Sequence, residues 1–334
     1  MSGTHTRGAG RHFAEAVAHP NIALAKYWGK RAGEGNVPAT PSLSITLAGL
    51  STRTRVTFDP ALRADKVTLG GRVLSGAAHM RVAFVLDEVR KDVSSPQFAE
   101  VTSDNDFPTA SGLASSASGF CALTLAAVTA AGLTWDLSRV ADLARRTSAS
   151  SARSFFSGFA ELVPEGATAR AAQLAPKDHV PLTVLVCVTT EEQKAVSSGD
   201  GMKRVAERSP FYPAWVEFAG RSWKEMRVAL LEKNLTRLGE LVEENALAMH
   251  ATGLPAGVIY LKGETLRVLD TVRALRDRGL YAYATMDAGP HVKVLVLPES
   301  KEAALAALIA TPGVLRVIQA EPGDGARVVA QGEA

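Results

Sequence analysis

Two lysines beside a tyrosine form the first segment of this 334-residue sequence that could do chemistry. They lie in NIALAKYWGK, residues 21–30, where Lys26 and Lys30 are four positions apart and Tyr27 follows the first of them. An ammonium group is a compact donor for a phosphate or a carboxylate, and a phenolic hydroxyl can donate beside it. Exposed lysines at the end of a strand are the alternative interpretation, since lysine is rarely buried.

A loop of small residues, FPTASGLASSA at 107–117, leads into an apolar stretch that we predict to be a buried helix. The start of a helix presents unpaired N–H groups and the positive end of the helix dipole, so small side chains there allow a phosphate to approach closely. The hydroxyls of Ser115 and Ser116 could add hydrogen bonds or ligate magnesium. An ordinary helix cap on a core helix explains the same residues equally well.

Two further segments could handle an anion or a proton. Residues 148–153 (SASSAR) place several hydroxyls and the guanidinium of Arg153 in one loop, and arginine matches a carboxylate or a phosphate with two hydrogen bonds. Asp287 ends a predicted strand just before a Gly-Pro turn, where a carboxylate could act as a general base or could simply form the turn. Together the four segments indicate an ATP-dependent site for an anionic substrate.

Composition excludes several classes of protein. The hydrophobic fraction of 46% is typical of a globular protein, and 37 basic against 34 acidic residues give a net charge of only +3. Because these charges are interspersed, we expect no binding to nucleic acid or to a membrane surface. The two cysteines, Cys121 and Cys187, lie in apolar runs and predict buried thiols in a reducing compartment, hence a cytoplasmic protein. The histidine spacings match no zinc motif.

The elements that must position these segments mix helices and strands without strict alternation, which predicts an α+β fold with two subdomains. We expect a loose tail at 1–12, an N-terminal domain at 13–190 and a C-terminal domain at 191–334. Hydrophobic periodicity predicts a hairpin at 52–74 turning at Gly70 and Gly71, helices at 79–92, 112–132, 138–147, 212–232, 234–250, 262–278 and 301–310, and strands at 182–190, 281–287, 292–298, 315–319 and 326–330.

The order of five segments, NIALAKYWGK, FPTASGLASSASG, SASSARS, VSSGDGM and MDAGPHVKVL, resembles the diphosphomevalonate decarboxylase family of the GHMP kinase superfamily over about residues 19–298. The resemblance implies a GHMP kinase fold, with an N-terminal subdomain like domain 2 of ribosomal protein S5 (ribosomal-protein-S5-domain-2-like) and a C-terminal ferredoxin-like α/β subdomain. It also implies ATP- and Mg²⁺-dependent decarboxylation of mevalonate 5-diphosphate to isopentenyl diphosphate through phosphorylation of the 3-hydroxyl. We further expect a homodimer.

The resemblance also implies roles for individual residues of this sequence. Asp287, Arg153 and Lys26 match catalytic positions. Residues that match substrate-binding positions are Ala23, Tyr27, Trp28, Gly29, Lys30, Arg81, Ser148, Ala149, Ser150, Ser151, Ala152, Arg153, Ser198 and Gly199. Residues that match the ATP-binding loop are Pro108, Ser111, Gly112, Leu113, Ala114, Ser115 and Ser116, of which the last two are also the candidates for magnesium.

Two departures and three alternatives accompany this interpretation. The serine loop of the family usually reads G-S-G-S-A-C-R, whereas this chain has Thr147 and Ala149 in place of the glycines, so the loop changes shape if either position needs a positive φ. Gly199 stands where relatives can carry arginine. A mevalonate 5-phosphate decarboxylase and a mevalonate 3-kinase are alternatives of the same fold. A non-catalytic RNA-binding module is the alternative from another class, and the even charge distribution disfavours it.

Overall fold

The structure, a computed structural model, describes residues 10–31, 33, 35–107, 115–192 and 195–333. Within these ranges the strands are β1 His12–Ala18, β2 Asn21–Ala25, β3 Ser42–Thr46, β4 Thr52–Asp59, β5 Lys66–Leu69, β6 Arg72–Val73, β7 Phe98–Asn105, β8 Phe159–Glu165, β9 Thr168–Ala175, β10 Thr183–Val188, β11 Ala282–Met286, β12 Val292–Val296, β13 Arg316–Ala320 and β14 Arg327–Glu333. The helices are α1 Gly76–Arg90, α2 Ser115–Ala130, α3 Leu137–Thr147, α4 Ser198–Arg208, α5 Tyr212–Leu231, α6 Leu235–Gly253, α7 Gly263–Asp277 and α8 Pro298–Ile309.

A six-stranded sheet in the order β14-β1-β4-β7-β5-β6 carries the first helical layer. Helix α2 packs on β1 and β4 and touches α1 and α3. Its alanines and other small residues are buried on almost every side, which allows the helix to approach the sheet closely. One apolar core therefore joins α1, α2 and α3 to this sheet.

The predicted hairpin turning at Gly70 and Gly71 is present, but it contains only β5 and the short β6 and does not extend back to residue 52. Strand β4 pairs with β7 in antiparallel register, and β5 pairs with the other edge of β7 in parallel register. The turn at Gly70 and Gly71 is present with positive φ at both residues, but it joins β5 to the short β6. Alternation along a strand indicates a half-buried face and does not indicate which strand lies beside it.

Two four-stranded sheets form the rest of the molecule, in the orders β2-β3-β8-β9 and β11-β12-β10-β13. Helices α5 and α6 share a core with strands of both sheets, and α7 and α8 pack with β10, β11 and β12 in a neighbouring core. Helix α6 contacts both β2 and β11. As a result, the ends of these two strands, which are far apart in the sequence, come together.

The predicted α+β architecture is confirmed, and the helices predicted from periodicity are present with shifted ends. Residue 12, assigned to the loose tail, already belongs to β1, and residues 1–9 lie outside the described part. Strand β14 returns to pair with β1, although it lies within the segment predicted to be the C-terminal domain. The division near residue 190 stays a prediction. No helix in the described ranges has the length and apolar character needed to cross a membrane.

Candidate active site

A cleft of about 1350 Å³ runs along the ends of β2 and β11 and the start of α4. Six cationic side chains line it against two carboxylates, Asp142 and Asp287; the cations are Lys26, Lys30, Arg81, Arg145, Arg146 and Arg153. Three of the cations form ion pairs: Lys26 with Asp287, Arg145 with Asp142 and Arg146 with Glu88. The surplus of positive charge makes the cleft suited to an anion with several charges.

Asp287 is held between two buried ammonium groups. Lys26 Nζ lies 2.8 Å from Oδ1 of the carboxylate, and Lys293 Nζ lies 3.0 Å from Oδ2. The side chains of the two lysines are 2% and 1% exposed, whereas the Asp287 side chain is 28% exposed and lines the cleft. The carboxylate is therefore fixed from behind and remains accessible from the cleft.

The sequence explains how the three groups meet. Strands β11 and β12 pair with Thr285 opposite Lys293, and side chains two apart on a strand share a face, so Lys293 lies diagonally beside Asp287. Lys26 follows directly after β2, and its backbone N–H donates to Asn245 Oδ1 on α6 at 2.8 Å. Its Nζ also donates to the carbonyl of Ala23, which fixes the side chain.

Burial and neighbouring charge act in opposite directions on these groups. Burial alone would raise the pKa of Asp287, but the attraction of Lys26 and Lys293 outweighs it and holds that pKa well below its ordinary value. Burial lowers the pKa of Lys26 to about 8, although the nearby carboxylate favours the charged form. The carboxylate is thus ionised, and we expect it to accept hydrogen bonds.

Arg153 lies fully buried at the side of the same cleft, and burial lowers its pKa to about 10. Its guanidinium donates to neutral oxygens, namely Ser44 Oγ at 2.9 Å, Ser42 Oγ at 2.6 Å and Asn21 Oδ1 at 3.2 Å. No carboxylate among the described residues forms an ion pair with it. Its positive charge is therefore available to an anion in the cleft.

The serine loop reaches the cleft without glycine. Ala149 begins a 3₁₀ helix over Ala149–Phe155, and among described non-glycine residues only Asn36 and Lys233 have positive φ. The methyl group at position 149 therefore causes no backbone strain. Ser148, Ala149 and Ser150 line the cleft, with Ser148 Oγ 3.3 Å from Ser150 Oγ.

Tyr27, Lys30 and Arg81 line the cleft together. The Tyr27 hydroxyl is buried with no hydrogen-bond partner among the described residues, and burial raises its pKa. Burial and then the nearby Arg81 lower the pKa of Lys30. Arg81 donates to the carbonyl of Thr147 at 2.8 Å and covers the ring of Phe120. A buried donor without a partner in a cation-lined cleft can bind a phosphate oxygen.

Five of the remaining predicted residues also line the cleft: Ala23, Trp28, Ser116, Ser198 and Gly199. The structure does not place Gly29, Ser151, Ala152 or Ser115 on its wall. The Ser151 hydroxyl donates to the carbonyls of Ala144 and Ser148, and Ala152 packs in the core. Gly29 has φ +118°, a backbone conformation that favours glycine. Pro108, Ser111, Gly112, Leu113 and Ala114 lie outside the described residues.

Sequence reasoning missed several residues that hold the site. Lys293 is one, and Asn21, Ser42, Ser44 and Asn245 are the others, because each contacts a predicted residue through strand pairing or helix packing that the sequence did not reveal. A single lysine inside the apolar run VKVLV was the available signal for Lys293. A buried lysine needs a partner, and Asp287 lies six residues earlier in the sequence.

Comparisons with known proteins agree with this geometry. Residues 18–172 match the diphosphomevalonate decarboxylase-like N-terminal domain, and residues 184–320 match the mevalonate 5-diphosphate decarboxylase C-terminal domain. The chain is 33% identical to the diphosphomevalonate decarboxylase of Bos taurus over 85% of this chain and 76% of that protein.

Solved structures give the same result for the fold. The crystal structure of mevalonate diphosphate decarboxylase from Staphylococcus aureus superimposes with a TM-score of 0.90 at 35% identity, covering 96% of this chain and 98% of that one. A structure of MDDEF in complex with MVAPP, AMPPCP and magnesium gives a TM-score of 0.88 at 37% identity, covering 97% of this chain and all of that one. The GHMP kinase type of fold is thereby confirmed. From the matched domains, the relatives and the folds together, this chain belongs to the diphosphomevalonate decarboxylase family.

Proposed function

We propose that this chain catalyses the ATP-dependent decarboxylation of mevalonate 5-diphosphate to isopentenyl diphosphate. The observation that carries the proposal is an ionised carboxylate, Asp287, held by two buried ammonium groups on the wall of a cation-lined cleft and accompanied there by Arg153. This set suits a substrate that has a hydroxyl to be phosphorylated, a carboxylate to be lost and a distal anion to be recognised. Family membership supports the same reaction.

In our proposal each end of the substrate has its own set of residues. Arg153 binds the substrate carboxylate, because its charge has no carboxylate partner among the described side chains. Lys30, Arg81 and the unpartnered Tyr27 hydroxyl bind the diphosphate, with the hydroxyls of the serine loop beside them. Ser116, at the start of α2, is then left for the phosphates of the nucleotide.

The proposed chemistry begins with phosphoryl transfer. The 3-hydroxyl oxygen attacks the terminal phosphorus, the bond to the ADP oxygen breaks, and Asp287 accepts the hydroxyl proton as the new P–O bond forms. Phosphate then leaves C3 with the electron pair of the C–O bond. The C1–C2 bond breaks, its electrons form the C2=C3 double bond, and carbon dioxide is released. The products are ADP, phosphate, carbon dioxide and the alkene, and the proton on Asp287 returns to solvent.

Magnesium fits this site as a companion of the nucleotide. The described residues contain no group of three His, Cys, Asp or Glu side chains that could hold a metal ion, so oxygen ligands would come mainly from phosphates and water. The Ser116 hydroxyl, with Ser115 beside it at the start of α2, is what the chain would contribute. When bound, magnesium would neutralise charge on the phosphates during transfer.

The distal cations favour a diphosphate over a monophosphate. Lys30 and Arg81 give two positive charges at the proposed diphosphate end, and the Tyr27 hydroxyl adds a donor. A 5-phosphate decarboxylase or a 3-kinase of the same fold would need fewer of these contacts.

The proposed homodimer and cytoplasmic location call for separate measurements, light scattering for the first and cell fractionation for the second.

One assay tests the proposed function. Purified protein is given ATP, magnesium and either mevalonate 5-phosphate or mevalonate 5-diphosphate, and release of ADP and of ¹⁴C-labelled carbon dioxide is measured. We expect both products in equal amounts from the diphosphate and much less from the monophosphate. ADP without carbon dioxide would indicate a 3-kinase, and no ADP from either compound would refute the proposal.

The Asp287→Asn variant tests the residue that carries the proposal. The amide has nearly the same size but cannot accept the proton, so we expect turnover to fall about 10² to 10⁴-fold. The affinity for ATP, measured by fluorescence titration, should stay nearly unchanged. A loss of less than tenfold in a folded variant would show that Asp287 is a turn residue.

A further inference from the structure

Lys293 is a buried charge beside Asp287 that takes no part in the proposed chemical steps. Its side chain is 1% exposed and belongs to β12, in the middle of an otherwise apolar run. Its cross-strand neighbours are Thr285 on β11 and Val186 on β10, and both are uncharged. The ion pair with Asp287 Oδ2 is the one that the described residues form with its ammonium group. A lysine in a sheet core needs a strong reason to be charged there, because desolvation is costly.

The geometry of the pair points to a role at the carboxylate. Lys26 binds Oδ1 and Lys293 binds Oδ2, so the two ammonium groups together fix the plane of the carboxylate and not just its position. They come from different parts of the fold: Lys26 follows β2, whereas Lys293 is on the same hairpin as Asp287. With either lysine alone, the carboxylate could rotate about χ2, which has a broad distribution in aspartate.

We propose that Lys293 is a positioning residue for the phosphoryl-transfer step: it holds Asp287 ionised and fixes the plane in which that carboxylate meets the substrate hydroxyl. The inference rests on the proposed function for its catalytic consequence. Its electrostatic part, a carboxylate stabilised by two ammonium groups, concerns the protein without substrate and can be tested separately.

Four charged or titratable side chains among the described residues act on Asp287. Lys26 and Lys293 contact it directly, Arg153 interacts with it from the serine loop, and His250 faces the same cluster from α6. Burial and then Lys26 lower the pKa of His250 to about 4, so this imidazole is neutral above pH 5. The cluster therefore carries three positive charges and one negative charge near neutral pH, and Lys293 supplies one of the three.

Removing Lys293 should shift the pKa values of neighbouring groups, which a simple loss of stability would not do. With one cation gone, the protonated forms of both Asp287 and Lys26 become easier to maintain, so both pKa values rise. The alkaline limb of the kcat profile, which we assign to Lys26 with a pKa of about 8, should therefore move to higher pH. At the same time kcat at pH 7.5 should fall about 10- to 100-fold because the carboxylate is misplaced. The KM for ATP should stay unchanged.

The experiment compares Lys293→Met, Lys293→Arg and Thr285→Val with the wild type. Methionine fills nearly the same volume without charge, arginine keeps the charge, and Thr285→Val alters the opposite residue of the same strand pair without changing charge. We expect the alkaline limb to shift upward in the Met variant only, with partial recovery of kcat in the Arg variant. Lys293→Gln gives the same comparison if Lys293→Met does not fold.

A second readout does not depend on activity. In protein labelled with ¹³C at the aspartate carboxyl carbon, the Asp287 signal is identified by its loss in Asp287→Asn and titrated from pH 3 to 7. We expect no titration of this signal in the wild type within this range, whereas in Lys293→Met the apparent pKa should rise far enough for the signal to begin titrating at the acidic end of the range. An unchanged titration, or an alkaline limb that does not move, would overturn the inference. If the wild type turned over neither substrate, the proposed function would fail while this titration still decided whether Lys293 stabilises the carboxylate.

Discussion

Arg153 and the aspartate cluster illustrate two different uses of buried charge. Asp287 has its countercharges within the protein, so its ionised state persists whether or not a ligand is present. Arg153 has three neutral hydrogen-bond acceptors, which orient the guanidinium without neutralising it. Such an arrangement is expected of a group whose anionic partner arrives with the substrate.

The Arg153→Met variant should therefore fold and lose most activity. A bidentate contact to a carboxylate is worth about 1.5–3 kcal/mol, so we expect kcat/KM to fall by roughly 10- to 150-fold, and further if the substrate turns in the cleft. Arg170→Met, at an exposed arginine paired with Glu165, is the matched control. Thermal unfolding checks the fold of both. Equal activity in the two variants would exclude Arg153 from the site.

The Lys30→Ala variant tests whether Lys30 binds the substrate diphosphate or the phosphates of ATP. We assign Lys30 to the substrate diphosphate, so its loss should raise the KM of that substrate by roughly 10- to 150-fold, which corresponds to one charge-assisted contact. The KM of ATP should change little, and the preference for diphosphate over monophosphate should narrow. Lys177→Ala, at an exposed lysine paired with Asp324, serves as the control. A selective effect on ATP would show that the two phosphate subsites are reversed.

Sequence reasoning predicted three charged residues that line the cleft, but not the residues that hold them. Lys26, Arg153 and Asp287 lie in three separate segments and were singled out because their types suit anions and protons. Asn21 and Ser42, which orient Arg153, look like ordinary polar residues at strand starts, and only the pairing of β2 with β3 brings them under the guanidinium. That pairing is a long-range feature, which local pattern does not determine.

At the scale of the elements, the loop after β2 forms one wall of the cleft. Gly29 lies between Trp28 and Lys30, both of which line the cleft, and it has φ +118°. A Cβ at this position would lie 2.2 Å from the Tyr212 hydroxyl oxygen on α5. The backbone of Trp28 is fixed at the same place, since its carbonyl accepts a hydrogen bond from Trp215 at 2.8 Å.

Gly29→Ala should cost both stability and affinity. Positive φ strain contributes about 1–3 kcal/mol to destabilisation, and the clash with Tyr212 displaces the loop that carries Lys30. We expect a lower midpoint of urea unfolding and a higher KM for the diphosphate substrate. Gly71→Ala is the control, because Gly71 also has positive φ, +73°, but a Cβ there meets nothing within 4 Å. Adding Tyr212→Phe should restore part of the affinity. A variant as active and stable as Gly71→Ala would contradict this account.

Helices were easier to predict than sheets because a helix depends on the pattern of one segment, whereas strand pairing depends on segments far apart in the sequence. The apolar spacing of α5, α6 and α7 is a property of each segment alone, and all three helices are present close to their predicted bounds. Strands β4 and β5 were placed in one predicted hairpin because they are neighbours in the sequence, yet β7 lies between them. Strand β2 entered only as the alternative interpretation of the lysine segment, and β3 was not among the predicted strands; both are buried along their whole length and lack the alternation that marks a half-buried strand.

At the scale of the whole molecule, the cluster around Asp287 joins distant parts of the chain. The hydrogen bond from Lys26 to Asp287 connects residues 261 positions apart, and β14 completes the first sheet from the far end of the chain. Folding therefore has to bring both halves together before the site exists. Composition predicted a globular protein and the order of elements predicted the class of fold, but neither predicted this return of the last strand to the first.

His250 makes the stability of the whole molecule depend on pH. Its side chain is buried on α6 against the cluster, and burial followed by repulsion from Lys26 lowers its pKa from 6.5 to about 4. Between these values the unfolded chain binds a proton that the folded protein does not, so the free energy of unfolding rises with pH through this window and falls as pH decreases. Asp287 acts in the same direction below about pH 4, because its pKa in the folded protein is lowered.

The His250→Gln variant should remove the first of these two contributions. For one such histidine, lowering the pH from 6.5 to 5 should cost the wild type on the order of 1–2 kcal/mol of unfolding free energy that the variant does not lose. Urea unfolding of both proteins at pH 6.5, 5.75 and 5 measures the difference. The two curves of unfolding free energy against pH should converge toward pH 5 if the wild type is the more stable protein at pH 6.5. Parallel curves would mean that the histidine is protonated equally in the folded and unfolded chains, and that the charge cluster does not extend to α6.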